Sequence, residues 1–115
     1  NNGAFFNNER IRVSKKNELS ECLFATGGKK YNSLNEISTR KSGCAALDLA
    51  YVASGRYDGY CQSNLNLWDI AAGLIIIKEA GGIINDIDLN NHKNLNVIAS
   101  SPNIYDKFIQ KISNF

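Results

Sequence analysis

The feature that most constrains the fold is a long apolar segment at residues 65–82, LNLWDIAAGLIIIKEAGG. It is almost free of charge between Asp69 and Lys78, and it ends in two glycines. Residues 74–77 have high β propensity, but the length of the segment, its initial acid and its final glycines favour a helix over residues 69–80. Because this helix would be apolar on nearly every face, we expect it to be buried between layers.

Shorter patterns predict strands around this helix, since strands show alternating or continuous apolar residues. The strands are predicted at residues 11–14, 21–26, 57–61, 82–84 and 95–100. Residues 64–68 and 90–94 are interpreted as loops, and residues 29–40 as a loop or a short surface helix.

Two more segments predict helices. Residues 43–54 place small residues at helical spacing, which permits close packing, and Gly55 is expected to end this helix. The last helix is expected to begin at Ser101-Pro102, since proline is favoured at the first helical position. Strands that alternate with helices predict an α/β fold, with a mixed sheet flanked by helices, and 115 residues suffice for one domain.

Composition argues against several classes of protein. The net charge is +2 without a basic run, so direct nucleic-acid binding is not expected. The sequence contains no run of 18 apolar residues, so no membrane-spanning helix is expected. Three cysteines without CxxC spacing do not favour a zinc site or a disulfide framework, and they suggest a reducing cytoplasm. The absence of Met suggests a processed or partial chain, and frequent Asn, Ile and Lys suggest a bacterial source.

Asp69 is the first candidate functional residue. One interpretation is an N-cap, in which the carboxylate accepts hydrogen bonds from backbone N–H groups of the helix. The other is a metal ligand, because Mg²⁺ binds carboxylate oxygens and keeps several waters, so that one protein acid can suffice. The two roles are compatible, because one oxygen can turn inward and the other outward.

The start of the helix over residues 43–54 is the second candidate. Ser42 is expected to cap this helix, and Gly43 permits a tight turn. Alternatively, the small residues here would let a ligand approach unpaired backbone N–H groups. Cys44 could also be a reactive thiol, although no base is paired with it.

The remaining polar candidates favour structural roles. Asp48 is expected to pair with a basic neighbour or to face water, and Trp68 to be a packing anchor. Asp86 and Asp88 fit a surface turn, and His92, the only histidine, fits a solvated loop.

These residues together resemble the C-terminal half of the inositol monophosphatase family. Residues 68–73, WDIAAG, and 79–82, EAGG, resemble its WDxAAG…EAGG signature. Residues 43–48, GCAALD, and 50–55, AYVASG, are similar to its GSAALDLAYVAAG segment. Residues 3–14 resemble the hairpin that precedes it. The resemblance implies that the chain, residues 1–115, is the C-terminal α/β domain of a layered sandwich.

The resemblance also implies roles for individual residues. It makes Asp69 a ligand of catalytic Mg²⁺ that lies against the substrate. It makes Gly43, Cys44 and Ala45 contacts to the substrate's hydroxyls. Gln62 occupies the position of a substrate-binding Glu, so it keeps an acceptor and loses the charge.

The implied reaction is Mg²⁺-dependent hydrolysis of a phosphate monoester, as in an inositol-1-monophosphatase, with lithium inhibition and a cytoplasmic homodimer as further expectations. The family's DPxDGT motif and metal-binding Glu do not occur in this chain, so we expect the isolated chain to be inactive. Gln62 keeps fructose-1,6-bisphosphatase or nucleotide 3′-phosphatase activity open as alternatives. The missing motifs keep a non-catalytic regulatory protein open.

Overall fold

The computed structural model describes residues 3–27 and 38–113. It begins with an antiparallel hairpin of β1 (Ala4–Phe6) and β2 (Glu9–Ile11). Asn7 and Asn8 form its turn with φ of 52° and 67°, a left-handed conformation that asparagine tolerates. The hairpin was expected from the family resemblance of residues 3–14. The strand predicted over residues 11–14 is wrong, because only residue 11 is paired in a strand.

Within the described residues, the main sheet contains five strands. They are β3 (Leu23–Thr26), β4 (Ser38–Arg40), β5 (Gly59–Leu65), β6 (Ile83–Ile84) and β7 (Leu95–Ser100). Their order is β4-β3-β5-β7-β6; β3 is parallel to β4 and β5, and β7 is antiparallel to β5 and β6. This mixed sheet confirms the predicted fold class.

Helices cover both faces of the sheet. They are α1 (Ala45–Ala53), α2 (Leu67–Glu79) and α3 (Tyr105–Ser113). Leu49 of α1 and Ile70 of α2 are fully buried in the same cluster as Tyr60 of β5. The next residue of β5, Cys61, faces the other way and packs in a second cluster with Phe108 of α3. Alternation along β5 thus gives each face of the sheet its own core.

The two helices on the first face approach each other closely at Gly73. A Cβ atom placed on Gly73 would lie 2.7 Å from Leu49 Cδ1 and 2.8 Å from Leu49 Cβ. The absence of a side chain at Gly73 therefore sets the spacing of α1 and α2.

The outer surface of these helices is open in this chain. Ile75 of α2 is 65% exposed and Leu47 of α1 is 42% exposed. The expectation that α2 is buried between two layers is therefore wrong for this chain, which packs only one side of the helix against the sheet. No helix in the described ranges is both long and apolar enough to span a bilayer.

Several predicted boundaries also differ. The strand predicted at residues 57–61 extends to Leu65, so the predicted loop at 64–68 contains the end of β5 and the start of α2. The prediction that Pro102 begins the last helix is wrong, because residues 102–104 form a turn and the helix begins at Tyr105. Of the segment predicted as a loop or helix at 29–40, Ser38–Arg40 is an edge strand and residues 29–37 lie outside the described residues.

Candidate active site

Asp69 lies in the first turn of α2, where it is the third helical residue. Asn66 is the N-cap, and no side chain caps this end, so the prediction that Asp69 caps the helix is wrong. Aspartate is favoured both as a cap and in the first turn, where the helix dipole attracts negative charge. The Asp69 side chain is exposed and makes no hydrogen bond or ion pair within the described residues. Its carboxylate is consequently available to a ligand.

The start of α1 is built from small residues. Cys44 is the N-cap and Gly43 precedes it with φ of +80°, a conformation that favours glycine. The predicted cap, Ser42, is wrong: its hydroxyl accepts a hydrogen bond at 3.0 Å from the N–H of Cys44 itself. The N–H groups of the following first turn, beginning at Ala45, have no partner inside an α-helix. This helix end therefore offers backbone donors beside uncharged side chains.

Asp48 lies in the first turn of α1 and is only 1% exposed, so the expectation of a basic partner or contact with water is wrong. Its Oδ1 accepts a hydrogen bond at 2.8 Å from the Ser42 hydroxyl. Burial raises the pKa of the Asp48 carboxyl, and the hydrogen bond from Ser42 partly opposes this rise. Asp48 therefore ties the loop before α1 to the helix.

Gln62 lies near the carboxyl end of β5. The pairing of β5 with β7 shifts register between Gln62 and Leu65, and Asn64 in this irregularity has φ of 62°. Such bulges redirect side chains and often occur beside active sites. The hydroxyl of Tyr60, two residues earlier on the same face of the strand, donates a hydrogen bond to Oε1 of Gln62.

These segments meet around one cavity of about 590 Å³. It lies where β5 ends and where α1 and α2 begin, the edge at which open α/β sheets bind ligands. Its lining residues are Gly43, Cys44, Ala45, Ala46, Gln62, Asn64, Leu65, Asn66, Trp68 and Asp69. The five residues that the resemblance implied as site residues, Gly43, Cys44, Ala45, Gln62 and Asp69, are all among them.

Sequence reasoning did not identify the residues that contact the Gln62 side chain. Tyr60 is fully buried and holds the Gln62 oxygen, and Gly27, which follows β3, lies against the Gln62 amide. The two-residue spacing of Tyr60 and Gln62 was a usable signal, because it places both side chains on one face of a strand. Nothing in the sequence pointed to this contact of Gly27, because it joins β5 to the residue that follows β3.

The structure places the other polar candidates outside the cavity or at its rim. Trp68 is 78% exposed, so its prediction as a packing anchor is wrong; its ring lies 5.6 Å from that of His92. His92 is exposed, and its carbonyl accepts a hydrogen bond at 2.9 Å from the N–H of Leu67. Asp88 accepts a hydrogen bond from the N–H of Asn90, as expected for a turn.

Asp69 remains the candidate metal ligand. Within residues 3–27 and 38–113, no three His, Cys, Asp or Glu side chains come together as a metal-binding group. An exposed, unpaired carboxylate at a cavity fits Mg²⁺, which is commonly held by one or two carboxylates and several waters. The three cysteines are free; Cys22 and Cys61 are buried and Cys44 is exposed.

Comparison with known proteins gives consistent matches over most of the chain. The model of the inositol monophosphatase family matches residues 1–115. A Thermotoga maritima protein named fructose-1,6-bisphosphatase/inositol-1-monophosphatase is 43% identical over 121 residues, which cover 96% of this chain and 47% of that protein. A Neisseria meningitidis protein named putative Nus factor SuhB is 37% identical over 127 residues, with 96% and 49% covered.

A solved structure agrees with these sequences. The structure of a Thermotoga maritima IMPase matches with a TM-score of 0.83 and 39% identity, covering 97% of this chain and 48% of that chain. The chain thus spans about half the length of the curated relatives it matches.

Proposed function

The chain belongs to the inositol monophosphatase family, and on that premise we propose that the intact protein is a Mg²⁺-dependent phosphatase. By the intact protein we mean the natural polypeptide that contains this chain. The proposed reaction is hydrolysis of a phosphate monoester of the inositol 1-phosphate type. The observation that carries the proposal is that the five candidate residues, from three separate segments, line one cavity.

Asp69 is the proposed metal ligand and catalytic residue. Support comes from its exposed carboxylate, which has no partner among the described residues and lines the cavity. When bound, Mg²⁺ supplies activation of water and neutralisation of the phosphate charge. Asp69 holds the ion beside the substrate, and the first turn of α2 fixes the backbone from which its side chain extends.

The start of α1 is the proposed substrate-binding element, together with Gln62. Gly43, Cys44 and Ala45 place little side-chain bulk in front of the first N–H groups of α1, so substrate oxygens can approach them. Gln62 adds an uncharged amide from the neighbouring strand.

We also propose that this chain is the C-terminal α/β domain of such an enzyme and that further metal ligands come from outside it. Support comes from the half-length match to the relatives and from the lack of a three-residue ligand group in the described ranges. The isolated chain should then release no phosphate from any monoester. Mg²⁺-dependent phosphate release from a pure sample of residues 1–115 would contradict this division.

The test of the function is Asp69→Asn in the intact protein. Because stabilisation of charge by a bound metal is worth several kcal/mol, we expect kcat/KM to fall by about 100-fold or more. The Mg²⁺ concentration for half-maximal activity should rise. Release of inorganic phosphate, measured across a Mg²⁺ titration, gives both quantities.

The matched control is Asp106→Asn. Asp106 is also an exposed acid in the first turn of a helix, but α3 packs on the opposite face of the sheet. This variant should keep the activity of the unmodified protein. Near-normal turnover of Asp69→Asn at ordinary Mg²⁺ would refute the role of Asp69.

Alternative substrates remain within the proposal. The name of the Thermotoga maritima relative includes fructose-1,6-bisphosphatase, and Gln62 replaces a charged group by a neutral one. Fructose 1,6-bisphosphate and a nucleotide 3′-phosphate are therefore the substrates to compare with inositol 1-phosphate. A strong preference for inositol 1-phosphate would remove the alternatives.

A regulatory role is the second candidate function. It is favoured by the Neisseria meningitidis relative named putative Nus factor SuhB. A protein of this kind would bind components of the transcription machinery and need no hydrolysis. If Asp69→Asn abolished phosphate release and left such binding unchanged, both functions would coexist in one protein.

The cellular setting follows from the same proposal. We place the protein in the cytoplasm, because its three cysteines are free thiols, and we retain the prediction of a homodimer. Lithium should inhibit the Mg²⁺-dependent activity, as the family resemblance implies.

A further inference from the structure

We propose that Tyr60 and Gly27 are positioning residues that hold the Gln62 side chain with its oxygen turned inward and its N–H groups turned toward the cavity. Gln62 then binds an anionic oxygen on the substrate, such as that of a second phosphate or a carboxylate. This inference rests on the proposed function, because it requires the substrate to occupy the cavity.

The Tyr60 hydroxyl determines which end of the amide faces inward. The Tyr60 side chain is fully buried, so its O–H needs an acceptor inside the protein, and Oε1 of Gln62 is the acceptor that it has. Burial, followed by the nearby Asp48 carboxylate, raises the pKa of Tyr60, so its hydroxyl stays protonated and acts as a donor. An amide nitrogen cannot accept this hydrogen bond, so the oxygen of Gln62 must face Tyr60.

Gly27 restricts the same amide from the end of the neighbouring strand, β3. A Cβ atom on Gly27 would lie 2.2 Å from Oε1, 2.4 Å from Cδ and 2.8 Å from Nε2 of Gln62. The φ angle of Gly27 is not positive, so the need for glycine here comes from space rather than from backbone strain. The clashing atoms belong to the far end of a flexible side chain. Alanine at this position would therefore displace the amide at little cost to the fold.

With its oxygen engaged, Gln62 presents hydrogen-bond donors. Its Nε2 has no acceptor among the described residues, and the half-buried side chain lines the cavity. A carboxylate at this position would accept hydrogen bonds from hydroxyl groups and repel anions, whereas the Gln62 amide donates and repels nothing. The arrangement consequently favours a substrate with an anionic oxygen at this point, in addition to the phosphate that is hydrolysed.

The experiment compares two substrates in the intact protein. Fructose 1,6-bisphosphate has a second phosphate, whereas inositol 1-phosphate has only hydroxyl groups besides the phosphate that is hydrolysed. Gln62→Glu keeps the acceptor for Tyr60 and replaces the donor by a negative charge. It should lower kcat/KM for the bisphosphate by about tenfold or more, since a charged hydrogen bond becomes a repulsion. Inositol 1-phosphate should be affected less.

The positioning residues have their own variants. Tyr60→Phe and Gly27→Ala should each raise KM for the bisphosphate several-fold with little change in kcat, because the chemistry at Asp69 is untouched. Tyr57→Phe, which removes a tyrosine hydroxyl outside the cavity, is the matched control and should leave both parameters unchanged. Thermal denaturation of each variant verifies that it is folded.

The outcomes separate the two proposals. Equal effects of Gln62→Glu on both substrates, or unchanged KM in Tyr60→Phe and Gly27→Ala, would overturn this inference while phosphate hydrolysis remained. Failure of the unmodified protein to hydrolyse these two substrates and a nucleotide 3′-phosphate would overturn the proposed function and this inference with it.

Discussion

Asp48 and Asp69 are both acids in the first turn of a helix, and the protein uses them in opposite ways. Asp48 in α1 is 1% exposed and accepts a hydrogen bond at 2.8 Å from Ser42. Asp69 in α2 is exposed and has no side-chain partner in the described part of the chain. The same residue type at similar helical positions is thus structural in one helix and available to a ligand in the other.

The difference shows that burial and partners, rather than residue type, separate the two roles. A buried carboxylate with a hydrogen-bond donor is committed to the fold, because removal of its partner would leave an unpaired polar group. Through Ser42, Asp48 holds the loop that contains Gly43, so it supports the cavity without facing it. An exposed carboxylate without such a hydrogen bond can bind a cation.

The two helix starts depend on one packing contact. Gly73 and Leu49 set the separation of α1 and α2 well inside the layer, away from the cavity. A substitution at this contact should therefore displace the starts of both helices, whereas a substitution at the start of one helix should leave the other helix in place.

The largest effect is expected for Gly73→Ala. Its Cβ would lie 2.7 Å from Leu49 Cδ1 and 2.8 Å from Leu49 Cβ, so the helices must shift apart. Overpacking of this kind costs about 1–3 kcal/mol, and displacement of Asp69 relative to the α1 start should also lower kcat/KM. Chemical denaturation and phosphate release from the intact protein measure the two effects.

A double-mutant cycle identifies the cause. Leu49→Ala removes the Cδ1 atom of the clash, so it should cost less in the Gly73→Ala background than in the unmodified protein. Strictly additive losses would show that the contact does not set the helix spacing.

A smaller effect is expected when α1 receives an exposed acid of its own. Aspartate and asparagine are equally good N-caps, so Cys44→Asp and Cys44→Asn should stabilise α1 to a similar degree, by about 1 kcal/mol or less. Only Cys44→Asp adds a negative charge to the cavity beside Asp69. We expect KM for a phosphate monoester to rise by about three- to tenfold relative to Cys44→Asn, since a like charge opposes the anionic substrate.

Steady-state kinetics at two salt concentrations test this charge effect. Screening by salt should narrow the difference between the two variants. The same KM in both variants would mean that the start of α1 does not face the substrate.

The smallest effect is expected for Asp48→Asn, and it depends on pH. Because burial raises the pKa of Asp48 in the folded state, its stabilising contribution is present below the unfolded value of about 3.9 and is lost as pH rises through the folded pKa. Asparagine accepts the same hydrogen bond from Ser42 without a charge. The variant should therefore match the unmodified protein in acid and exceed its stability near neutral pH.

Urea denaturation of the intact protein at about pH 3 and about pH 7 measures this difference. A variant that is less stable than the unmodified protein at neutral pH would indicate that the Asp48 charge itself stabilises α1.

The sequence predicted the fold class, because the elements follow periodicity, and the family resemblance named five of the residues that line the cavity. The predictions failed where contacts between distant segments determine the local structure. The strand was predicted to end at residue 61, but pairing with β7 carries β5 to Leu65 and places Gln62 and Asn64 in the cavity wall. The same holds for Gln62, whose amide lies against Gly27, the residue that follows β3.

The local environments of the two acids could not be predicted from sequence for the same reason. Asp69 fitted an N-cap by residue type, but Asn66 begins the turn earlier. Asp48 appeared in a helix without a visible partner, and its burial follows from the loop that Ser42 folds back over α1.

The distribution of the cysteines has a practical consequence. Burial raises the pKa of Cys61 to about 12, and burial together with Asp58 raises that of Cys22 to about 11, whereas Cys44 is exposed. Thiolates are the reactive form, so a maleimide dye would attach to Cys44 alone among the three. A fluorophore at that position would lie at the rim of the cavity. Its emission would change when a ligand binds, so binding could be measured without substrate hydrolysis.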